Sequence, residues 1–256
     1  MSRVALKRLV GKVAVVTAST EGIGFAIAQR LAEEGAKVII SSRKPENVEA
    51  ATKKLLSQGL EVKGLTCHVS KPEDRKKLFE AAQKLGGLDI LVSNAAANPT
   101  VGGILDCSES SWDKIFDVNV KSSFLLAKEA YPLLKESRAG RIIFVSSIAG
   151  MNPSEYLGAY AVSKTALLGL TKAVSLQLAR DNITVNSICP GLIRTKFSDA
   201  ITSNEVFEEA ALANIPLNRV GEAVEMGGAV AFLASEDGSY VTGENLVIAG
   251  GMPSRL

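Results

Sequence analysis

A chain of 256 residues that is 46% hydrophobic and 22% charged can bury a full core, and its length suits one large domain or two small ones. The net charge of +2 gives no electrostatic reason to expect a nucleic-acid partner, and no apolar run approaches the roughly 18 residues needed to span a membrane. The single histidine, His68, and the separated cysteines Cys67, Cys107 and Cys189 have no metal-ligand spacing, so no metal and buried reduced thiols are expected.

The lead-in MSRVALKRLVGK (1–12) is basic, with an apolar part too short for a secretory signal; a frayed approach to the first strand is expected. KVAVVT (12–17) reads as a buried strand and GIGFAIAQRLAEEGA (22–36) as a helix ending at Gly35. KVIISS is a second strand, 45–58 a second helix, EVKGLTC a third strand and 72–85 a third helix. LDILVSN (88–94) is a fourth strand, followed by a long helical region from Ser108 to about Ser137. GRIIFVSS is a fifth strand, 159–180 a long helix, ITVNSIC a sixth strand and ENLVIAG a seventh. This alternation implies parallel strands with helices on both faces, and nearly continuous apolar strands fit a sheet covered on both sides. Right-handed crossovers then leave an α/β, Rossmann-type, doubly wound sheet of seven parallel strands. No repeat, low-complexity segment or Pro/Gly-rich linker divides the chain, so a single domain over 1–256 is expected.

In an open sheet of this kind, ligands bind beyond the carboxyl ends of the strands. The first strand is followed by TASTEGIG (17–24), whose Gly22 and Gly24 open the first helix. Small residues there let the backbone approach a pyrophosphate, and a helix N-terminus offers unpaired N–H groups and partial positive charge. The strict GxGxxG pattern is absent, and an ordinary glycine-rich turn is the competing reading. After the second strand, Ser42–Arg43–Lys44 stands where an NAD site would place Asp or Glu. A guanidinium grips a 2′-phosphate that a carboxylate would repel, which favours NADP(H); a solvated surface arginine is the alternative. After the fifth strand come Ser146 and Ser147, and thirteen residues beyond Ser147 stands Tyr160, with Lys164 one helical turn later. The intervening IAGMNPSEYLGA can fold back and bring Ser147 to the helix start. A lysine one turn from a tyrosine is either an accident of surface chemistry or a tuned acid.

Ser147, Tyr160 and Lys164 match the Ser–x12–Tyr–x3–Lys pattern of the short-chain dehydrogenase/reductase family, and Asn119 in DVNVKSS matches the fourth member of its catalytic set. TASTEGIG resembles the family's TGxxxGIG turn with Ala18 for the first glycine, and SNAAA (93–97) its NNAG stretch with Ala96 for glycine. PGLIRT (190–195) resembles its PG motif after the sixth strand. The resemblance runs from Val10 to Gly251, and the departures from the wider pattern narrow it to a peroxisomal group of NADP-dependent retinol dehydrogenases and carbonyl reductases.

That resemblance implies roles. Tyr160 would be the general acid for carbonyl reduction and the base for alcohol oxidation. Its phenol, ordinarily near pH 10, would be lowered by about 2–3 units by Lys164 together with the oxidised nicotinamide, or roughly 3–4 kcal/mol. Lys164 would also hold the nicotinamide ribose hydroxyls. Ser147 would bond the substrate carbonyl oxygen where negative charge develops, and Asn119 would hold a water passing protons from Lys164. Ala18, Ser19, Thr20, Gly22, Ile23 and Gly24 would surround the pyrophosphate, with Ser42 and Arg43 at the 2′-phosphate. His68, where the wider family usually has Asp on the adenine amino group, and Val69 would meet adenine. Asn94 and Ala95 would lie near the adenosine ribose, although Asn94 also suits a tie between neighbouring strands. Pro190, Gly191, Ile193 and Thr195 would meet the carboxamide end of the nicotinamide.

The activity implied is NADPH-dependent interconversion of ketones or aldehydes and alcohols, on a small apolar substrate. A 3-oxoacyl-thioester reductase would use the same four residues; the discriminating segment is 192–215, expected to be a loosely helical lid. Its Phe197, Ile201, Val206 and Phe207 point to an apolar pocket or an ordinary packing face, and no basic rim for a phosphopantetheine is evident. A non-catalytic NADP(H) sensor on the same fold would not require the four-residue set. A hydrolase reading fails because no GxSxG elbow surrounds Ser147. Family members usually form homotetramers through two long helices, here about 112–134 and 159–179. The ending Ser254–Arg255–Leu256 resembles the Ser-Lys-Leu address, so a peroxisomal location and an import receptor as partner are expected.

Overall fold

The computed structural model describes residues 7–254, apart from the side chains of Ala200 and Ile201. Residues 1–6 of the basic lead-in, and Arg255 and Leu256 of the terminal tripeptide, lie outside the described residues. In chain order the elements are β1 (Val13–Val16), α1 (Gly22–Glu33), β2 (Lys37–Ser42), α2 (Pro45–Leu56), β3 (Val62–Thr66), α3 (Pro72–Lys84) and β4 (Ile90–Ser93). There follow α4 (Glu109–Phe116), α5 (Ser122–Glu136), β5 (Arg141–Val145), α6 (Gly158–Leu178) and β6 (Thr184–Pro190). Last come β7 (Ile193–Arg194), α7 (Asp199–Thr202), α8 (Glu205–Leu212), β8 (Gly221–Glu222), α9 (Ala223–Ala234) and β9 (Asn245–Ile248).

Seven strands form one parallel sheet in the order β3-β2-β1-β4-β5-β6-β9. The strand order reverses between β1 and β4, and in open sheets of this kind ligands bind in the cleft above such a switch point. The continuous apolar strands serve two cores. Val13 and Val15 pack with Leu78, Leu126 and Phe144 on one face, while Ala14 and Val16 pack with Ile27, Leu31, Met226 and Val230 on the other. Side chains alternate across a strand, so a strand covered on both faces needs apolar residues at every position. Pro45 and Pro72 start α2 and α3, where a missing N–H costs nothing. Among the described residues no helix is long and apolar enough to cross a membrane.

Several expectations need correction. The described part of the lead-in is docked, not frayed: Leu9 is 1% exposed, and Arg8 pairs with Glu34 at 2.7 Å and Asp237 at 2.7 Å. The long region 108–137 is two helices joined by a π-helical turn, Asp117–Lys121. The 192–215 segment is loosely helical as expected, with the two short helices α7 and α8, but it also carries β7, which pairs with β8 in a separate two-stranded sheet. Helix α9, absent from the sequence reading, packs on α1. Cys67 and Cys189 are buried, but Cys107 is partly exposed.

Candidate active site

The site begins where β1 ends. Ala18 has φ of +50°, so an alanine occupies the left-handed conformation that the family pattern gives to glycine, at a cost of roughly 1–2 kcal/mol. The turn is clamped from β4. Asn94 Nδ2 donates to the carbonyls of Thr17 (3.1 Å) and Ala18 (2.9 Å), while the N–H groups of Asn94 and Ala95 donate to Thr17 Oγ1 at 3.0 and 3.2 Å. Asn94 is therefore a strand tie. A Cβ on Gly24 would lie 2.5 Å from the Ala18 carbonyl oxygen, so only glycine fits there. The Ser19 hydroxyl donates to the Val16 carbonyl (2.6 Å) and its N–H to the Ser41 carbonyl (2.9 Å), tying β1 to β2. Thr20 and Ile23 flank the turn, partly buried.

No side chain caps the start of α1, and its first turn holds no acidic residue. Its leading N–H groups suit an anion. The Glu21 carboxylate just before them is paired with Lys196 Nζ at 2.7 Å, which ties the turn to the segment after β7. A Cβ on Gly22 would sit 3.4 Å from Thr195 Cγ2, so Thr195 lies over the same turn. Behind it, Gly191 lies against Ala249, whose Cα is 2.8 Å from where a Cβ would be. Pro190 ends β6, and Ile193 packs in the core with its carbonyl accepting from Ser198 Oγ at 2.6 Å.

At the other end of the cleft, Cys67 N–H donates to the Ser42 carbonyl at 2.9 Å, bringing the exits of β2 and β3 together. Arg43 is exposed there and Ser42 partly buried. His68 N–H donates to Asp74 Oδ2 at 3.0 Å, and its Nδ1 accepts from Ser70 N–H at 3.3 Å. Burial first, then the cations Lys114, Arg43 and Lys71, hold the imidazole below its usual pKa. Val69 is buried, its carbonyl accepting from Arg75 at 2.7 Å.

The reactive group is assembled by the loop after β5. Ser146 Oγ donates to the Lys164 carbonyl (2.9 Å), and Thr165 Oγ1 donates to the Gly150 carbonyl (2.7 Å). These bonds pull the loop onto the start of α6. Ser147 Oγ accepts from Ala149 N–H at 3.1 Å and lies near the Tyr160 phenol. Tyr160 is 8% exposed. Burial pushes its phenol up to about 12, and the Ser147 bond opposes that rise. Lys164 is pushed down to about 8 by burial, and its Nζ donates to the Val145 carbonyl at 2.7 Å. The expected acidification of the phenol by Lys164 is not what the protein's own groups produce. The ammonium lies 5.4 Å from the Tyr160 ring centroid and bonds a backbone carbonyl instead, so desolvation dominates.

Asn119 is fully buried in the π-helical turn. Its Oδ1 accepts from Ala97 N–H (2.7 Å), and its Nδ2 donates to the Ala97 carbonyl (3.1 Å) and to Ser163 Oγ (3.0 Å). Ser163 Oγ in turn donates to the Tyr160 carbonyl at 2.6 Å. Asn119 thus braces the β4 loop against α6. Over the mouth, the Phe197 ring meets the Tyr160 ring at 5.6 Å between centroids. Val206 and Phe207 are exposed rather than lining a pocket wall, and the Ile201 side chain lies outside what the structure describes. Ser163 and the Glu21–Lys196 pair escaped the sequence reading. Nothing in spacing marks a serine beside the lysine, or an ion pair that only folding brings together.

A phenol, a serine and a lysine at the carboxyl edge of a doubly wound sheet, beside an anion-ready helix start, define a nucleotide-dependent oxidoreductase site. The family profile described as Enoyl-(Acyl carrier protein) reductase matches residues 17–253. Dehydrogenase/reductase SDR family member 4 of Oryctolagus cuniculus is 52% identical, covering 97% of this chain and 96% of that protein. The Homo sapiens protein of that name is 51% identical over 97% and 90%. Tropinone reductase-like 3 of Erythroxylum coca is 49% identical over 98% and 96%. Among solved structures, a putative gluconate dehydrogenase from Agrobacterium tumefaciens superposes with a TM-score of 0.93 at 27% identity, covering 98% of this chain and 99% of that one. The chain belongs to the short-chain dehydrogenase/reductase family and is an oxidoreductase; family and fold imply a nicotinamide cofactor.

Proposed function

We propose that the protein is an NADPH-dependent carbonyl reductase acting on apolar ketones or aldehydes, and on the corresponding alcohols in reverse. The observation that carries this reading is the loop after β5 held onto the start of α6 by the Ser146–Lys164 and Thr165–Gly150 bonds, which sets the Ser147 hydroxyl near the Tyr160 phenol at the carboxyl edge of the sheet. The residues fit a dinucleotide. The α1 start offers uncapped N–H groups to a pyrophosphate, Arg43 suits a 2′-phosphate, Lys164 suits ribose hydroxyls, and Thr195 with Ile193 suits the carboxamide. A nicotinamide cofactor held there supplies the hydride for reduction and accepts it for oxidation.

The chain's own residues manage the proton. With its phenol at about 12, Tyr160 remains protonated at neutral pH and donates from Oη to the substrate oxygen. Ser147 Oγ steadies the charge that grows on that oxygen. Lys164, near 8, exchanges protons close to neutrality and restores the phenol. Asn119, with both side-chain polar atoms bonded to protein, fixes the α6 start; a water relay through it would pass along its backbone or its remaining lone pair. Phe197 beside Tyr160 gives the mouth an aromatic wall that suits an apolar substrate.

The matching profile's description favours keeping a 3-oxoacyl-thioester reductase as the second reading. Against it, the cations at the mouth are already paired, Arg194 with Glu208 at 2.6 Å and Lys196 with Glu21. The exposed apolar residues Trp112, Phe124, Val162 and Leu176 on α4, α5 and α6 support a homotetramer built on those helices. Peroxisomal import through residues 254–256 belongs to the same reading. The test is NADPH oxidation across retinal, aromatic ketones, diketones and a 3-oxoacyl thioester. Turnover of the free carbonyls is expected; turnover of the thioester alone would install the second reading. NADPH binding without turnover of any would make the protein a sensor.

A further inference from the structure

We propose that His68 works with Arg43, Lys71 and Lys114 as a cation ring that takes up a proton when a 2′-phosphate binds, so that the imidazole sets cofactor preference alongside Arg43. This rests on the NADP(H) reading above. The placement is structural. The bond from Cys67 N–H to the Ser42 carbonyl (2.9 Å) sets the exit of β3 beside that of β2, so His68 stands next to Ser42 and Arg43. Its loop is pinned by His68 N–H on Asp74 Oδ2 (3.0 Å) and Lys71 N–H on the His68 carbonyl (2.8 Å). The charges acting on the imidazole are Lys114 from α4, Arg43 just after β2, and Lys71 and Asp74 at the start of α3; beyond Ser70 lies the Asp117 carboxylate, paired with Lys121 at 3.3 Å. One oxygen of Asp74 is committed to the His68 N–H.

Three influences keep the free imidazole neutral. It is partly buried, it faces three cations, and its Nδ1 accepts the Ser70 N–H, a bond that a proton on Nδ1 would displace. A phosphate monoester brings a charge of about −1.5 to −2 and offsets the positive field at the ring. The imidazole then titrates at higher pH in the complex than in the free chain. Affinity for the phosphate-bearing nucleotide therefore strengthens as pH falls through the raised value.

His68 is the sole histidine of the chain, so its ring gives an unambiguous NMR titration. The protein, without a histidine tag, is titrated alone, with 5′-ADP and with 2′,5′-ADP. The ring midpoint is expected below the usual imidazole value alone, little moved by 5′-ADP, and raised by about one unit by 2′,5′-ADP. A rise of one unit corresponds to a gain of up to about tenfold in the 2′,5′-ADP to 5′-ADP affinity ratio between about pH 8 and about pH 6. The ligand phosphate titrates near pH 6 by itself, so the ratio is compared with His68→Gln, in which that contribution remains and the excess is lost. If 2′,5′-ADP binds no better than 5′-ADP, the NADP(H) reading falls and this proposal with it. If it binds better but the His68 midpoint stays put, or moves equally with 5′-ADP, the proposal alone is overturned.

Discussion

Lys164 is the residue whose burial and role conflict most sharply. An amine that titrates at about 8 in the folded chain and near 10.5 unfolded penalises folding. Stability is fullest above 10.5 and is lost as pH falls through 8, by roughly 3 kcal/mol. Lys164→Met removes that penalty and gives up the bond to the Val145 carbonyl, worth about 1 kcal/mol. The variant should be more stable than wild type by about 2 kcal/mol at pH 7, with the gap closing near pH 10, in denaturant titrations. A less stable variant at pH 7 would mean that the ammonium holds the fold together. Arg43 sits at the opposite extreme, exposed and cheap to alter. Arg43→Ala should raise the KM for NADPH about tenfold and leave that for NADH nearly unchanged; equal effects would contradict the 2′-phosphate assignment. The reactive residues were legible in the sequence because chemistry fixes their types and a helical turn fixes their spacing. The pKa values were not: desolvation depends on every atom packed around Tyr160, which no local pattern encodes.

At the scale of elements, the first βα turn shows how a small residue can be required by a neighbour distant in sequence. Gly24 lies under the Ala18 carbonyl and beside Asn94. Gly24→Ala forces the turn open and should cost about 1–3 kcal/mol, with weaker binding of NADPH by fluorescence titration. Wild-type stability and binding in that variant would mean that the turn adapts freely. Strands β1, β2, β4 and β5 were readable because each is short, with a run of apolar, mostly β-branched residues; β3 and β6, which carry Lys, Gly, Asn and Ser, were readable from their place in the β-α alternation. Helix α9 was not, because Gly227 and Gly228 look like breakers. Gly227 serves packing: a Cβ on it would lie 3.0 Å from the Ala26 carbonyl oxygen, so the glycine lets α9 press on α1. The π-helical turn that buries Asn119 was equally hidden inside a continuous helical pattern, since no Pro or Gly marks it.

For the whole molecule, the sheet's strand order places chemistry from six strand ends along one edge, which is why separate motifs in the chain read as one site. Trp112, Phe124 and Leu176 leave apolar surface uncovered on a single chain. Light scattering should give the mass of four chains, and Phe124→Glu should shift it to smaller species; a monomeric wild type would remove the assembly from the account. The most direct test of the central claim is Tyr160→Phe, measured for NADPH affinity and for carbonyl-dependent NADPH oxidation in the same preparation. The account predicts wild-type affinity with turnover reduced by about 10²–10⁴. Turnover within a few fold of wild type would show that the proton comes from elsewhere and would contradict it.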